Sequence, residues 1–252
     1  MTPVDIPAAV RRSDQVLCEQ LATWESLEFG VAFRSPEHPT LAAANQLRDV
    51  WLETVSGDTA YERTEAHFAA HGRICRRWVP SSGQPTEPVA SVLKNKGWTR
   101  VETLAMGLAD WAMASMASPA AIRVLPARAM KKAYRKTFDG ATPAEMQAGI
   151  ERLNDPNYEA FVAVMDGEPA GRSAYLEVGD IARLADVFVR PSFRRRDIGR
   201  VMVAHFLRIG RRLSPRVVVA SCDATDPASR SFLERCGFMA SGSLTAFDRS
   251  SD

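Results

Sequence analysis

Several things that would place this chain in a specialised class at once are scarce or missing. It has only four cysteines, Cys18, Cys75, Cys222 and Cys236, with no CxxC or other paired-ligand spacing. Neither a disulfide framework nor a cysteine metal site is expected, and the thiols read as reduced. No stretch approaches the roughly 20 apolar residues that a membrane span needs. The opening MTPVDIPAAVRRSDQ has no apolar signal core. These absences predict a cytoplasmic protein that does not engage a membrane. Charge of one sign is lacking too: 32 Lys and Arg stand against 30 Asp and Glu, a formal net charge of +2. A whole-surface attraction to nucleic acid is therefore not expected, and any anion site must be local. His38, His67 and His71 have no metal-ligand spacing on one element, so no metal is expected.

What is present is ordinary globular material. Hydrophobic residues make up 46% and charged residues 25% of 252 residues. That is enough to bury two modest cores, and the length suits two domains. A weak internal echo supports the division. Ser91-Val92-Leu93-Lys94-Asn95-Lys96-Gly97-Trp98 has the pattern of Ser231-Phe232-Leu233-Glu234-Arg235-Cys236-Gly237-Phe238. Each copy reads as a helix ended by glycine, with an aromatic residue entering a strand. Each follows a β-type run (Gly72 to Val79; Arg216 to Cys222) and a Pro-containing turn. The small-residue stretch Ala109 to Pro119 interrupts clear periodicity, which places the seam near Ser118. The expected domains are 1–117 and 118–252.

The second half alternates elements. Ile122 to Leu125 reads as a strand; Ala129 to Phe138 and Pro143 to Leu153 read as helices, the latter with Thr142 as N-cap. Phe161 to Met165, Gly171 to Val178 and Ile181 to Val189 form an antiparallel meander, joined by the turn pairs Asp166-Gly167 and Gly179-Asp180. A helix to about Leu213 follows the basic turn Arg190 to Gly199. Next comes a buried-type strand, Val217 to Ala220, which a right-handed crossover sets parallel to the strand ending at Val189. The last helix runs from Pro227 to Arg235 with Asp226 as N-cap.

The strand, basic loop and helix around Val189-Arg190-Pro191-Ser192-Phe193-Arg194-Arg195-Arg196-Asp197-Ile198-Gly199-Arg200 carry the chemistry. A loop turning directly into a helix offers free backbone N–H groups and the positive end of the helix dipole, a natural pyrophosphate site. Read alone, Arg194 to Arg196 with Arg208, Arg211 and Arg212 are equally a solvated helix face or a weak nucleic-acid patch. Order along the chain decides. This stretch resembles the acyl-CoA-binding motif of the GNAT superfamily, in which V-x-P leads into R/Q-x-x-G-x-G/A. Arg194, Gly199 and Val189-Arg190-Pro191 match. Asp226 to Phe238 resembles the family's N-x-x-A-x-x-L-Y-x-x-x-G-F helix through Ser229, Phe232, Gly237 and Phe238.

The resemblance implies an α/β fold of tandem GNAT-like halves, each a mixed, mostly antiparallel sheet flanked by helices. It implies acetyl-CoA as co-substrate, with pantetheine along Val187, Phe188 and Val189 and the diphosphate at Arg194, Arg195, Arg196, Asp197, Ile198, Gly199 and Arg200. Asp226, Ser229 and Phe232 complete the cofactor side. A primary amine, on a small molecule or a peptide, would attack the thioester directly, with no nucleic acid and no membrane involved. Asp186 is the first choice of general base and Glu177 the second; Asp223 is a further carboxylate on the parallel strand and Tyr175 a candidate acid. Two positions depart from the pattern. Asp197 stands at a usual glycine, where it can cap the helix and compete with the ligand. Leu233 replaces the usual tyrosine and cannot protonate a leaving thiolate, so a CoA-binding pseudoenzyme is the alternative. The first half lacks the phosphate loop and reads as a degenerate copy, giving a pseudo-dimeric monomer or a homodimer.

Overall fold

A computed structural model describes residues 4–249; the outermost residues of the two expected domains lie outside them. In chain order the elements are α1 (Ile6–Glu19), β1 (Thr23–Leu27), β2 (Gly30–Arg34), β3 (Gln46–Val50), α2 (Gly57–Ala70), β4 (Arg77–Pro80), α3 (Glu87–Lys94) and β5 (Trp98–Leu108). Then come β6 (Ile122–Pro126), α4 (Lys131–Arg135), α5 (Pro143–Glu151), β7 (Tyr158–Met165), β8 (Glu168–Val178) and β9 (Ile181–Val189). The chain ends with α6 (Ile198–Leu213), β10 (Val217–Asp223), α7 (Pro227–Arg235) and β11 (Phe238–Arg249). The fold is α/β, with mostly antiparallel sheet flanked by helices.

Two compact units divide the chain. One comprises the chain up to Ser13 with Leu104–Ser243; the other comprises Asp14–Thr103 with the chain from Leu244 onward. The division falls inside β5 and inside β11, while Ser118 lies within the first unit's range.

In the larger unit the strands are ordered β5-β10-β9-β8-β7-β6. β6 to β9 are antiparallel neighbours, and β10 lies parallel to β9 with Val217 opposite Ile181. The turn Asp166-Gly167 has positive φ at both residues (52° and 82°), the backbone of a two-residue hairpin whose twist matches its strands. Helix α6 buries Val201, Met202, Val203, Ala204, Phe206 and Leu207 against one sheet face, where Phe161, Tyr175, Leu184, Val218 and Leu233 join them. The expected helix over Ala129 to Phe138 is shorter than its pattern predicts. Only Lys131–Arg135 is helical, and Ala127 before it bonds to the Ala160 carbonyl of the neighbouring strand. Helix α5 begins as expected, with a full capping box between Thr142 and Glu145.

The smaller unit repeats this order of elements. Its strands run β1-β2-β3-β4-β11, with β3 and β4 parallel and the rest antiparallel. A meander (β1 to β3), a helix (α2), a parallel strand (β4), a second helix (α3), a glycine with positive φ (Gly97, 79°) and a strand beginning at Trp98 reproduce β7 to β9, α6, β10, α7, Gly237 (92°) and Phe238. The segment from Gly72, expected to be extended throughout, forms strand only from Arg77. The strands β1 and β3 carry too little alternation to be singled out beforehand; helix α1 is capped by Asp5, whose Oδ1 accepts from Ala8 N (2.9 Å). Arg77 donates to both carboxylate oxygens of Asp248 (2.6 and 2.7 Å), a forked pair that ties β4 to β11.

Gly149 on α5 faces Phe138, and a Cβ there would overlap the phenyl ring. Alanine is favoured over glycine in a helix by roughly 0.5–1 kcal/mol, whereas overpacking a filled site typically costs about 1–3 kcal/mol. Gly149→Ala is therefore expected to lower stability by about 1–2 kcal/mol on balance. A raised melting temperature would contradict the packing described for Phe138.

Candidate active site

The site begins with a fault in the sheet. Between β8 and β9 the register runs from Ala174 opposite Ala185 to Arg172 opposite Phe188, so that Ser173 faces both Asp186 and Val187. This is a β-bulge, and Asp186 has φ +51°, a left-handed conformation that aspartate tolerates better than most side chains. A bulge bends and twists its strand. On the other side of β9, pairing with β10 covers Ile181, Ala182 and Arg183 and ends at Val219 opposite Arg183, although β9 continues to Val189 and β10 to Asp223. The two parallel strands thus part into a fork. Arg183 crosses its root, donating to Ser221 Oγ on β10 (2.8 Å) and to Ser13 Oγ on α1 (3.1 Å).

At the open end stands the basic turn. Pro191–Phe193 makes a single 3-10 turn, Arg195 (φ 63°) and Asp197 (φ 58°) take left-handed backbone, and α6 begins at Ile198. Alternation of hand along such a turn gathers successive N–H groups into an anion-binding concavity. The first intrahelical bond is from Val201 N to Asp197 O (3.0 Å). Among the described residues, no backbone partner meets the N–H groups of residues 197–200.

Asp197 corrects an expectation: its side chain makes no cap to the helix backbone and instead accepts from Arg200 Nη1 at 3.2 Å. The left-handed backbone at Asp197 carries its carboxylate away from the N–H groups it was expected to occupy. Gly199 also has a packing role. A Cβ there would sit 3.1 Å from the Phe232 ring, so the glycine lets α7 pack against the start of α6.

The other sequence-derived residues are placed as follows. Val187 and Val189 turn their side chains toward α6 and its cluster. Phe188 lies on the opposite face, over the Arg172 guanidinium (4.7 Å to the ring centroid). Arg194 folds back to donate to Val189 O (3.2 Å), while Arg195 and Arg196 are exposed. Asp226 caps α7 through Ala228 N and Ser229 N, and Ser229 Oγ donates to its other oxygen, so these two polar groups satisfy one another. Asp186 accepts from Arg172 Nε at 2.8 Å. Glu177 is exposed near the far end of β8 and is not brought beside Asp186. Asp223 caps the turn at Thr225. Tyr175 is buried against Phe206, and burial, then Glu177, pushes its hydroxyl up to about 12. Leu233 is buried in the core.

Sequence reasoning missed the group behind the bulge. Arg172, on an interior strand, stacks on Phe138 (4.0 Å) and donates to Thr137 O (2.6 Å) as well as to Asp186. Tyr134 and Tyr158 lie beside it; burial first, and the Asp186 carboxylate with it, hold both phenols protonated far above neutral pH. An arginine inside the apolar alternation of β8 was the available signal.

The arginines of α6 are not a uniform solvated stripe. Arg208 donates to Met116 O (3.1 Å) and Arg211 to Trp111 O (3.3 Å), fastening the segment before β6 along the helix. The smaller unit shows the same site closed. The start of α2 is capped by Ser56, whose Oγ accepts from Thr59 N (3.2 Å), and a Cβ on Gly57 would overlap Val92 of α3. Strands β3 and β4 carry a register shift between Leu47 and Val50, at the left-handed Asp49, but pair again at Val50 opposite Pro80, the end of both strands. Among the described residues no group of three or more His, Cys, Asp or Glu is arranged to hold a metal ion, and no helix is long and apolar enough to cross a membrane.

A forked parallel pair leading to an uncapped helix start coincides with a family match: residues 127–238 fit the model of the Acetyltransferase (GNAT) family. Residues 127–238 are a GNAT domain. Solved structures similar to the whole chain include a conserved protein of unknown function from Staphylococcus epidermidis ATCC 12228 (15% identity, 90% of this chain and 93% of the other, TM-score 0.69). A GCN5-related N-acetyltransferase from Kribbella flavida is similar at 17% identity over 97% and 96% (TM-score 0.64). A tandem GNAT protein from the clavulanic acid biosynthesis pathway is similar at 16% over 95% and 89% (TM-score 0.62). At these identities the likeness is one of fold. No curated protein matches the chain by sequence. The GNAT fold supports acyl transfer from acetyl-CoA in general.

Three thiols, Cys75, Cys222 and Cys236, are held in the protonated form by burial. Burial pushes Cys75 up to about 12 and Cys236 up to about 11, and raises Cys222, the partly exposed one, above its ordinary value. Little thiolate is present at neutral pH. Alkylation of Cys222 by iodoacetamide is therefore expected to be slow at pH 7 and to accelerate only under more alkaline conditions than a free thiol requires. Rapid modification at pH 7 would contradict its packed environment.

Proposed function

We propose that the chain is an N-acetyltransferase that moves the acetyl group of acetyl-CoA to a primary amine, using one cofactor site, that of the GNAT domain. The observation carrying this reading is the uncapped start of α6 beside a parted strand pair. The diphosphate would take the N–H groups of residues 197–200 with Arg195 and Arg196, and pantetheine would lie along Val187, Phe188 and Val189. A strand N–H near the thioester would act on the oxyanion of the tetrahedral state more than on the planar substrate. The amine nitrogen bonds to the carbonyl carbon, the carbon–sulfur bond breaks, and the sulfur leaves as thiolate.

Leu233 has no proton to give, so the thiolate departs without help from that position and is protonated by water. The amine must shed a proton, and Asp186 and Glu177 are the proposed bases. The paired closure of β3 and β4 and the Ser56 cap support a division of roles in which residues 1–117 are a copy without a cofactor site. The acceptor remains a primary amine on a small molecule or peptide, in a cytoplasmic setting. A second reading, a CoA-binding pseudoenzyme, draws on Leu233 alone, since the Asp197 side chain leaves the helix start open.

Release of free CoA in the presence of a panel of primary amines separates these readings: the transferase releases CoA with at least one amine, and the pseudoenzyme binds CoA but releases none. Loss of a general base typically lowers kcat by about 10²–10⁴. Asp186→Asn is expected to show that loss and Glu177→Gln a smaller one; the reverse order would transfer the role to Glu177. For Asp197→Gly, calorimetry with acetyl-CoA is expected to show affinity tightened roughly two- to tenfold. That is the scale of a charge at a helix start, about 0.5–1.4 kcal/mol. Unchanged affinity would mean that Arg200 already neutralises the carboxylate.

A further inference from the structure

We propose that Arg172 is a positioning residue for the acyl-CoA, acting through the bulge at Asp186 to keep β9 apart from β10. The inference rests on the reading of the fork as the cofactor site. An arginine whose side chain is only 11% exposed on an interior strand must recover its lost hydration from nearby groups. Every group that does so here belongs either to β9 or to the loop between α4 and α5. Nε donates to Asp186 Oδ2 at 2.8 Å and Nη1 to Thr137 O at 2.6 Å. The ring of Phe138 covers the guanidinium at 4.0 Å, and the ring of Phe188 lies 4.7 Å from it. Phe138 in turn rests on Gly149 of α5, so the contacts form a continuous pillar from α5 through Phe138 and Arg172 to Phe188 on β9.

The pillar meets β9 at two points that matter for the fork. Asp186 is the left-handed residue of the bulge, and Phe188 is the middle residue of the segment that faces the gap beyond the last β10 pairing. With the carboxylate and the ring both held, the backbone of residues 187–189 has one orientation. Without the guanidinium, Asp186 and the Thr137 carbonyl lose their partner, and the left-handed backbone at Asp186 loses the contact that holds it. β9 can then relax toward regular pairing, which narrows the fork. Lysine can restore the charge beside Asp186, but not the flat stacked surface or the second directed bond.

The test is calorimetric titration of the full chain with CoA, in the absence of any amine, so that proton abstraction plays no part. Wild type is expected to bind. Arg172→Met is expected to weaken binding at least tenfold and Arg172→Lys about threefold. Asp186→Asn is expected to weaken it too, with the Arg172→Met/Asp186→Asn double variant no weaker than Arg172→Met alone. Non-additivity of that kind marks one coupled unit. Should Arg172→Met fail to fold, Arg172→Lys and Asp186→Asn decide between them. Folded variants that bind CoA as wild type does would overturn the role of Arg172 and leave the cofactor site standing. A wild-type chain that does not bind CoA would overturn both.

Discussion

The larger unit is organised around the left-handed turn of the backbone at Asp186. A strand with regular pairing on both edges offers a ligand nothing, because its N–H and C=O groups are already matched. The bulge breaks that condition on one edge only. β9 remains joined to β8 before and after it, so the strand keeps its place while its far end leaves β10. The same strand then delivers the chain to the start of α6. In the larger unit this departure stands beside an unpaired strand edge and an uncapped helix end.

The two units show how little separates a site from its closed counterpart. Both have a meander, a parallel strand, two helices and a glycine-ended return, and both have an aspartate with positive φ near the end of the third strand, Asp49 at 52° and Asp186 at 51°. The outcome differs at the helix start. Ser56 turns its hydroxyl onto the helix it precedes, whereas Asp197, with its left-handed backbone, gives its side chain to Arg200. The outcome also differs at the strands, which stay paired in one unit and part in the other. A serine cap closes one helix start; an aspartate held in the left-handed conformation leaves the other open, although a glycine packs each start against the following helix.

Much of the larger unit could be read from residues with strong local rules. The start of α7 follows from the Asp226 cap, the extent of α6 from its apolar face, Ile181 to Val189 from alternation, and Asp166-Gly167 from turn chemistry. The parallel placement of β10 follows from crossover handedness. The smaller unit was less legible: β1 and β3 are short, with mixed polarity, and gain their strand character from neighbours far along the chain. At the site, the basic turn was plain because a run of arginines before a glycine and an amphipathic helix is a local signal. The bulge and Arg172 were not, since a register shift is a property of two strands and the guanidinium's partners Thr137, Asp186 and Phe188 lie 14 to 35 positions away from it. Asp186 was singled out for its charge, while its backbone, which parts the strands, could not be seen in the sequence.

On the proposed reading, the α6 start and the free edge of β9 bind the cofactor while the equivalent surfaces of the smaller unit do not. Amide hydrogen exchange with and without CoA measures both at once. The account predicts that CoA slows exchange in residues 187–189 and 197–200 and leaves residues 46–58 unchanged. Slowing confined to residues 46–58, or no change in residues 187–200 at saturating CoA, would contradict it.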